Sequence, residues 1–239
     1  MSHLLMQTAD RARVAIGPRV IVLGRQGAGK GTQCARLARH LGVPHISSGD
    51  LFRAAIAAGT PLGNQARRYV DGGALVPDDL VLDLVASHLS DARTTGYLLD
   101  GFPRTLAQGQ AFFEVLGQGA ADVAIELDVP ADAVLQRLLA RRVCGGCGST
   151  TASTNGEEEV TCRSCGDAAR RRDDDTPEAI TRRLSLYDEE SGPLLIWLAD
   201  RALLVTVDGR GSPDEVFARI AAEVDARLAA VERPRGPTT

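Results

Sequence analysis

The residues Gly24 to Lys30 read G-x-x-x-x-G-K, a glycine-rich run closed by a cation. Such a run can turn consecutive backbone N–H groups toward one point, because glycine reaches backbone conformations that side chains forbid. If a helix begins at Lys30, its N-terminus adds partial positive charge to the same point. The chemistry implied is phosphate binding, with Gly27, Ala28, Gly29, Lys30, Gly31 and Thr32 as the cradle. A glycine-rich turn without a ligand is the alternative, and the match at both ends of the run weighs against it. One feature departs from the usual pattern: Gly31 follows the lysine, and the hydroxyl comes one residue later, at Thr32. A glycine cannot ligate Mg²⁺, so the metal of a bound nucleotide is expected to be held through water. Thr32 and Asp100, which ends the run Gly-Tyr-Leu-Leu-Asp, are the candidates for those waters.

Two further clusters could do chemistry. Cys144, Cys147, Cys162 and Cys165 form C-x2-C-x14-C-x2-C, in which two tight turns each offer two thiolates to one tetrahedral ion. Four cysteines leave no open position, so the expected Zn²⁺ is structural. Two disulfides, or a nucleic-acid-binding ribbon, are the alternatives, and the acidic runs beside the cysteines count against the ribbon. The second cluster is of arginines. Arg137 and Arg141 lie four apart before the cysteine segment, expected on one helix face; Arg172 follows the segment, and Arg183 comes soon after. Arg53 and Arg104 lie earlier in the chain. Phosphoryl transfer needs phosphate charge neutralised and groups positioned, with little acid–base work. The four scattered histidines offer no convincing nucleophile–base set.

The elements that must position these residues follow from hydrophobic pattern. Arg19 to Gly24 is a short β-branched run suited to a strand buried on both faces. The phosphate loop follows, then a helical pattern ending at Gly42, with Cys34 on its buried stripe. Strands are also predicted at Pro44–Ser47, Gly96–Phe102, Asp122–Val129 and Leu203–Gly209. Helices are predicted after Ser48 or Asp50, from Pro61 to Gly72, from Pro77 to Leu89, from Thr176, and from Ser212, where Ser212, Pro213 and Glu215 form a capping box. Five strands alternating with helices predict an α/β fold: a parallel five-stranded sheet covered on both faces. Between Val143 and Asp175 the pattern breaks into a polar, Gly- and Ser-rich insert.

The chain has 239 residues, 44% hydrophobic and 24% charged, enough to bury a sizeable core. Net charge is −4, so attraction to nucleic acid or to an anionic membrane is not expected. No apolar run approaches the roughly 18 residues of a membrane span, and the first residues lack the order of a signal peptide. A cytoplasmic protein, monomeric, is expected.

Taken in order, Gly-Ala-Gly-Lys-Gly-Thr-Gln, Ser-Ser-Gly-Asp-Leu-Phe-Arg, Leu-Val-Pro-Asp-Asp-Leu-Val, Leu-Leu-Asp-Gly-Phe-Pro-Arg-Thr with Gln108, the Arg-Arg-Val-Cys-x-x-Cys run and Arg-x-Asp-Asp resemble the adenylate kinases over Val20 to about Leu228. The resemblance is to the bacterial form with a long zinc-bearing lid. It implies the P-loop nucleoside monophosphate kinase fold and the reaction Mg·ATP + AMP ⇌ 2 ADP, with Mg²⁺ and structural Zn²⁺ as cofactors. By position it implies ATP at Gly27 to Thr32, Arg137, Arg141 and Gly211. AMP would lie at Ser48, Arg53, Ala74, Leu75, Val76, Gly101, Phe102, Pro103, Arg104 and Gln108, with Arg172 and Arg183 reaching toward it. Lys30, Arg104, Arg141, Arg172 and Arg183 would be catalytic. The implied domains are an extension at 1–18; a core of 19–46, 77–139 and 176–230; an AMP-binding domain at 47–76; a lid at 140–175; and a tail at 231–239. Lid closure, for which adenylate kinases are known, is implied with them. Three departures stand out: Gln26 where the family usually has proline, Thr151 near where it has an aromatic residue, and a longer N-terminal extension. Another nucleoside monophosphate kinase, a GTP-using form, and a non-catalytic nucleotide-binding paralogue are the rival readings.

Overall fold

The computed structural model describes residues 17–89 and 95–232. The expected extension up to residue 16 and the tail from 233 lie outside them. Five strands form one parallel sheet: β1 (Arg19–Leu23), β2 (His45–Ser47), β3 (Tyr97–Asp100), β4 (Val123–Asp128) and, late in the chain, β9 (Leu204–Asp208), ordered β2-β3-β1-β4-β9. The register sets Val22 beside Asp100 and Val20 beside Val123. β1 and β3 are almost wholly buried, as strands covered on both faces must be.

Alternation along β1 divides the core. Val20 and Val22 point to one face and pack with Cys34 and Leu37 of α1 (Lys30–Leu41) and with Val216, Ile220 and Val224 of α8 (Pro213–Glu232). Ile21 and Leu23 point to the other face. There they join residues of α4 (Asp78–Leu89), α5 (Leu106–Leu116) and α7 (Pro177–Asp200). Between β2 and α4, the helices α2 (Ser48–Ala57) and α3 (Pro61–Asp71) form a small pair.

Caps confirm much of the predicted punctuation. Thr60 Oγ1 accepts from Gly63 N, and Thr176 Oγ1 from Ala179 N. Ser212 and Glu215 exchange the two bonds of a capping box. The start of α2 needs correction. Its cap is Ser47, which accepts from Asp50 N, while Ser48 lies inside the helix and donates its hydroxyl to Gly101 O.

The insert also differs from expectation. It follows α6 (Ala131–Ala140) and folds as an antiparallel sheet of β5 (Arg141–Cys144), β6 (Thr150–Ala152), β7 (Glu159–Thr161) and β8 (Ala168–Arg170), ordered β6-β5-β8-β7. Strands of three or four residues are too short to show alternation in the sequence. Their core is Cys144, Cys162 and Ala169, with Val160 against it. Arg142 is fully buried beside them and donates to three backbone carbonyls, of Glu157, Leu139 and Arg141.

Candidate active site

The phosphate loop occupies the turn from β1 to α1, at the carboxyl end of the sheet. Gly27 and Gly29 both have positive φ, 87° and 100°. At Gly27 a Cβ would also come within 2.8 Å of the Leu138 side chain, so sterics and dihedral both select glycine. Lys30 opens α1 and folds its ammonium back onto the carbonyls of Gly24, at 2.6 Å, and Arg25, at 3.0 Å. Burial lowers its pKa to about 8, against the pull of the Asp100 carboxylate.

The loop forms one end of a cavity of about 770 Å³. Every residue assigned from the sequence to nucleotide, from Gly27 to Thr32 through Ser48, Arg53, Ala74 to Val76, Gly101, Gln108 and Gly211, lines this volume except Phe102. The Phe102 ring turns into the core instead and meets Phe112 edge-on at 5.3 Å. Its neighbours in chain, Gly101, Pro103 and Arg104, do face the cavity, and the Phe102–Pro103 peptide is cis.

Charge in the cavity opposes that of the whole chain. Arg53, Arg104, Arg137, Arg141, Arg172 and Arg183, with Lys30, face only Asp50, Asp100, Asp174 and Glu190 among the lining residues. The cations strain against each other. Burial, then the Arg53 and Arg141 guanidinia, lower Arg172 to about 10; burial and Arg183 lower Arg104. A low-dielectric volume crowded with cations is built for a polyanion.

Arg137 and Arg141 do not share a helix face. The helix α6 stops at Ala140, and Arg141 is already extended backbone, the first residue of β5. Both guanidinia still reach the cavity from the two sides of that joint. Arg137 donates to Ala28 O and Gly209 O, and Arg141 makes a two-pronged contact with Asp175 at 2.6 and 2.9 Å. Arg183, on α7, donates to Asp174 Oδ2 at 2.8 Å and to Val70 O at 2.7 Å. Arg53 is held by Asp50 at 2.5 Å.

Gln108 is buried, with both ends of its amide engaged. Its Oε1 accepts from Arg104 N at 2.8 Å, and its Nε2 donates to Asp78 Oδ1 at 2.7 Å. Thr150, Thr151 and Ala152 of β6 also line the cavity.

In the insert, Cys144 and Cys165 stand 3.4 Å apart at Sγ, and Cys147 and Cys162 stand 3.6 Å apart. All four sulfurs lie within 4.8 Å of one another, and all are free thiols. Thiolates around one tetrahedral zinc stand about 3.8 Å apart, so the donor set and its spacing fit that ion.

A family model for adenylate kinase matches residues 22–202. The chain belongs to the adenylate kinase family. It is 44% identical over 210 residues to the adenylate kinase of Thermodesulfovibrio yellowstonii, covering 85% of this chain and 97% of that one. It is 42% identical over 207 residues to that of Lachnospira eligens, covering 84% and 97%, and 45% identical over 197 residues to that of Moorella thermoacetica, covering 80% and 90%. Sequence reasoning missed the groups that hold the arginines of the cavity. Asp174 and Asp175 anchor Arg53, Arg141 and Arg183. The Arg-x-Asp-Asp run that contains them was visible, but their role needs partners more than 100 residues away in the case of Arg53.

Proposed function

We propose that this cavity binds Mg·ATP and AMP together and catalyses Mg·ATP + AMP ⇌ 2 ADP. The observation that carries the reading is continuity: a single volume of about 770 Å³ is lined both by the phosphate loop and by Ser48, Arg53 and Gln108. The donor phosphates lie on Gly27 to Thr32 and against Arg137 and Arg141, with the Gly211 turn nearby. AMP lies between α2, Ala74 to Val76 and the Gly101–Arg104 turn. Arg172 and Arg183 meet the phosphoryl group from the lid side.

Transfer then follows from placement. Lys30, Arg104, Arg141, Arg172 and Arg183 surround the phosphates and neutralise charge that spreads over the transferred group. On ATP binding, the Lys30 ammonium exchanges its two loop carbonyls for phosphate oxygens. Asp78 and the Arg104 N–H fix which end of the Gln108 amide donates and which accepts. Its remaining N–H and lone pair match the edge of adenine. That match favours AMP over other acceptors.

Residues 47–76 serve as the AMP-binding domain and 140–175 as the lid, hinged on a core of 19–46, 77–139 and 176–230. Closing both over the cavity excludes water, which would otherwise accept the phosphoryl group. Bound Mg²⁺ supplies charge neutralisation and orientation of the phosphates; Asp100 and Thr32 would hold its water shell. Cys144, Cys147, Cys162 and Cys165 would hold a structural Zn²⁺ that stabilises a lid with almost no apolar core. We read the chain as a cytoplasmic monomer without nucleic-acid or membrane partners. The net charge of −4 argues against polyanionic partners, and among the described residues no helix is long and apolar enough to cross a membrane.

The test is ADP formation from Mg·ATP with AMP, GMP, CMP and UMP in parallel, beside Lys30→Met. Turnover with AMP, lost in Lys30→Met, is expected. ATP binding without turnover on any acceptor would instead make the chain a non-catalytic relative.

A further inference from the structure

Behind the phosphate cavity two side chains that the reaction does not use, Cys34 and His45, gather against Asp100. Cys34, one turn beyond Lys30 on α1, His45 at the start of β2 and Asp100 at the end of β3 bring a sulfur, an imidazole nitrogen and a carboxylate oxygen within 4.8 Å of one another. The His45 Nε2 to Asp100 Oδ2 distance is 3.3 Å. Cys34 is fully buried, His45 is partly exposed, and Asp100 alone of the three lines the cavity. They belong to three separate elements: the register sets His45 beside Leu98, two residues from Asp100, so both side chains share the sheet face that α1 covers, and no local turn forces them together.

We propose that Cys34, His45 and Asp100 form a second metal site, for Zn²⁺ or a similar thiophilic divalent ion, whose occupation inhibits the enzyme. Three donors of mixed sulfur, nitrogen and oxygen type suit zinc and do not suit Mg²⁺, which takes oxygen ligands. Donors around a tetrahedral zinc lie about 3.3–3.8 Å apart. The His45–Asp100 pair already has that spacing, and Cys34 needs to approach by about an ångström at most. Of the three donors only Asp100 lines the cavity, so a water from that side would complete a fourth position. Binding replaces the Cys34 S–H bond by a sulfur–metal bond and releases the proton to solvent. The Lys30 ammonium is anchored on the carbonyls of Gly24 and Arg25 but still interacts with Asp100 and Cys34, so the ion would bind against one neighbouring positive charge.

Inhibition follows from sharing. Asp100 Oδ2 lies 3.8 Å from where a Cβ on Gly31 would stand, so it borders both the phosphate loop and this group. A zinc ion that takes the carboxylate withdraws it from the water shell of Mg²⁺. This inhibition rests on the role given to Asp100 above; the binding does not.

The experiment uses full-length protein carrying one zinc equivalent in the lid, titrated with Co²⁺, which binds thiolate sites more weakly than Zn²⁺ and so leaves the lid filled. Wild type is expected to take up a further equivalent, with a sulfur-to-cobalt charge-transfer band. Cys34→Ala should lose the band while keeping its lid zinc, and His45→Gln should weaken binding about tenfold or more. An equal band in wild type and Cys34→Ala, or no band in any of the three, overturns the site. Should Cys34→Ala not fold, His45→Gln decides by the same shift. Activity at limiting Mg²⁺ is then read against added Zn²⁺: inhibition should need about tenfold more zinc in either variant than in wild type. A cobalt band without zinc inhibition would uphold the site and overturn its inhibitory role.

Discussion

Gln26, the third residue of the phosphate loop, donates its side-chain amide to Asp175, between β8 and α7, 3.2 Å away, and its Oε1 accepts from Arg183 at 3.4 Å. Asp175 is fully buried and also takes both prongs of Arg141. Gln26, read in the sequence as a departure from proline, therefore ties the phosphate loop to Arg183 directly and to Arg141 through Asp175. A rigid ring would stiffen the loop but could make neither bond.

Gln26→Leu removes both bonds at similar volume. A buried hydrogen bond contributes about 1 kcal/mol, so kcat/KM for ATP should fall about three- to tenfold with the fold intact. Steady-state kinetics beside a melting curve measure this. An unchanged kcat/KM would remove Gln26 from the site.

Lys30 predicts two opposite pH slopes. With its pKa lowered to about 8 by burial, the free protein loses this charge as pH rises through about 8. ATP needs the charge, so kcat/KM for ATP should fall above pH 8, by up to tenfold per unit. Saturating ATP should move that limb of kcat to higher pH, because the phosphates favour the ammonium. Stability runs the other way. Between about 8 and the unfolded value of 10.5, the unfolded chain binds the proton that the folded chain has released. Stability of the nucleotide-free protein therefore rises with pH across that window. Melting temperatures of wild type and Lys30→Met from pH 7.5 to 10 isolate the effect, and parallel curves would refute it.

What the sequence made legible was local. The phosphate loop, the five core strands and most caps depend on neighbours a few residues apart, and each was readable. Ser47 was displaced by one as a cap because a second serine follows it, and only burial shows which hydroxyl the helix uses. The insert's strands were not readable, since three residues cannot display a period and the core is built of cysteines. Arg141 was assigned to a helix from its spacing to Arg137, but the chain turns extended at the domain joint between them. Asp174 and Asp175 looked like part of an acidic run. Their partners Arg53, Arg141, Arg183 and Gln26 come from four separate stretches, and no linear pattern encodes that meeting.

Asp100 separates metal use from nucleotide use. Asp100→Asn keeps the size of the side chain and removes its charge. If the carboxylate holds the water shell of Mg²⁺, the half-saturating Mg²⁺ concentration should rise about tenfold, the scale of losing an outer ligand partner. Binding of ATP without metal should change little or improve, because a negative charge has left the cavity. A coincident Mg²⁺ titration for the two proteins would end this role.

The four-cysteine cluster of the insert tests whether the zinc proposed there is structural or chemical. Replacing Cys162 and Cys165 by serine leaves two thiolates, too few to hold zinc tightly. Metal content should fall from one equivalent to near zero. The melting temperature should drop on the order of 10 °C, because the insert's buried side chains, Cys144, Cys162 and Ala169, cannot stabilise it unaided. At a temperature where the variant remains folded, phosphoryl transfer should persist within about tenfold. The groups proposed to meet the phosphates are Arg141 on β5, Arg172 between β8 and α7, and Arg183 on α7, and none is among the four cysteines. Turnover abolished in a folded, zinc-free variant would mean that the metal sets the position of Arg141 through β5, whose last residue is Cys144.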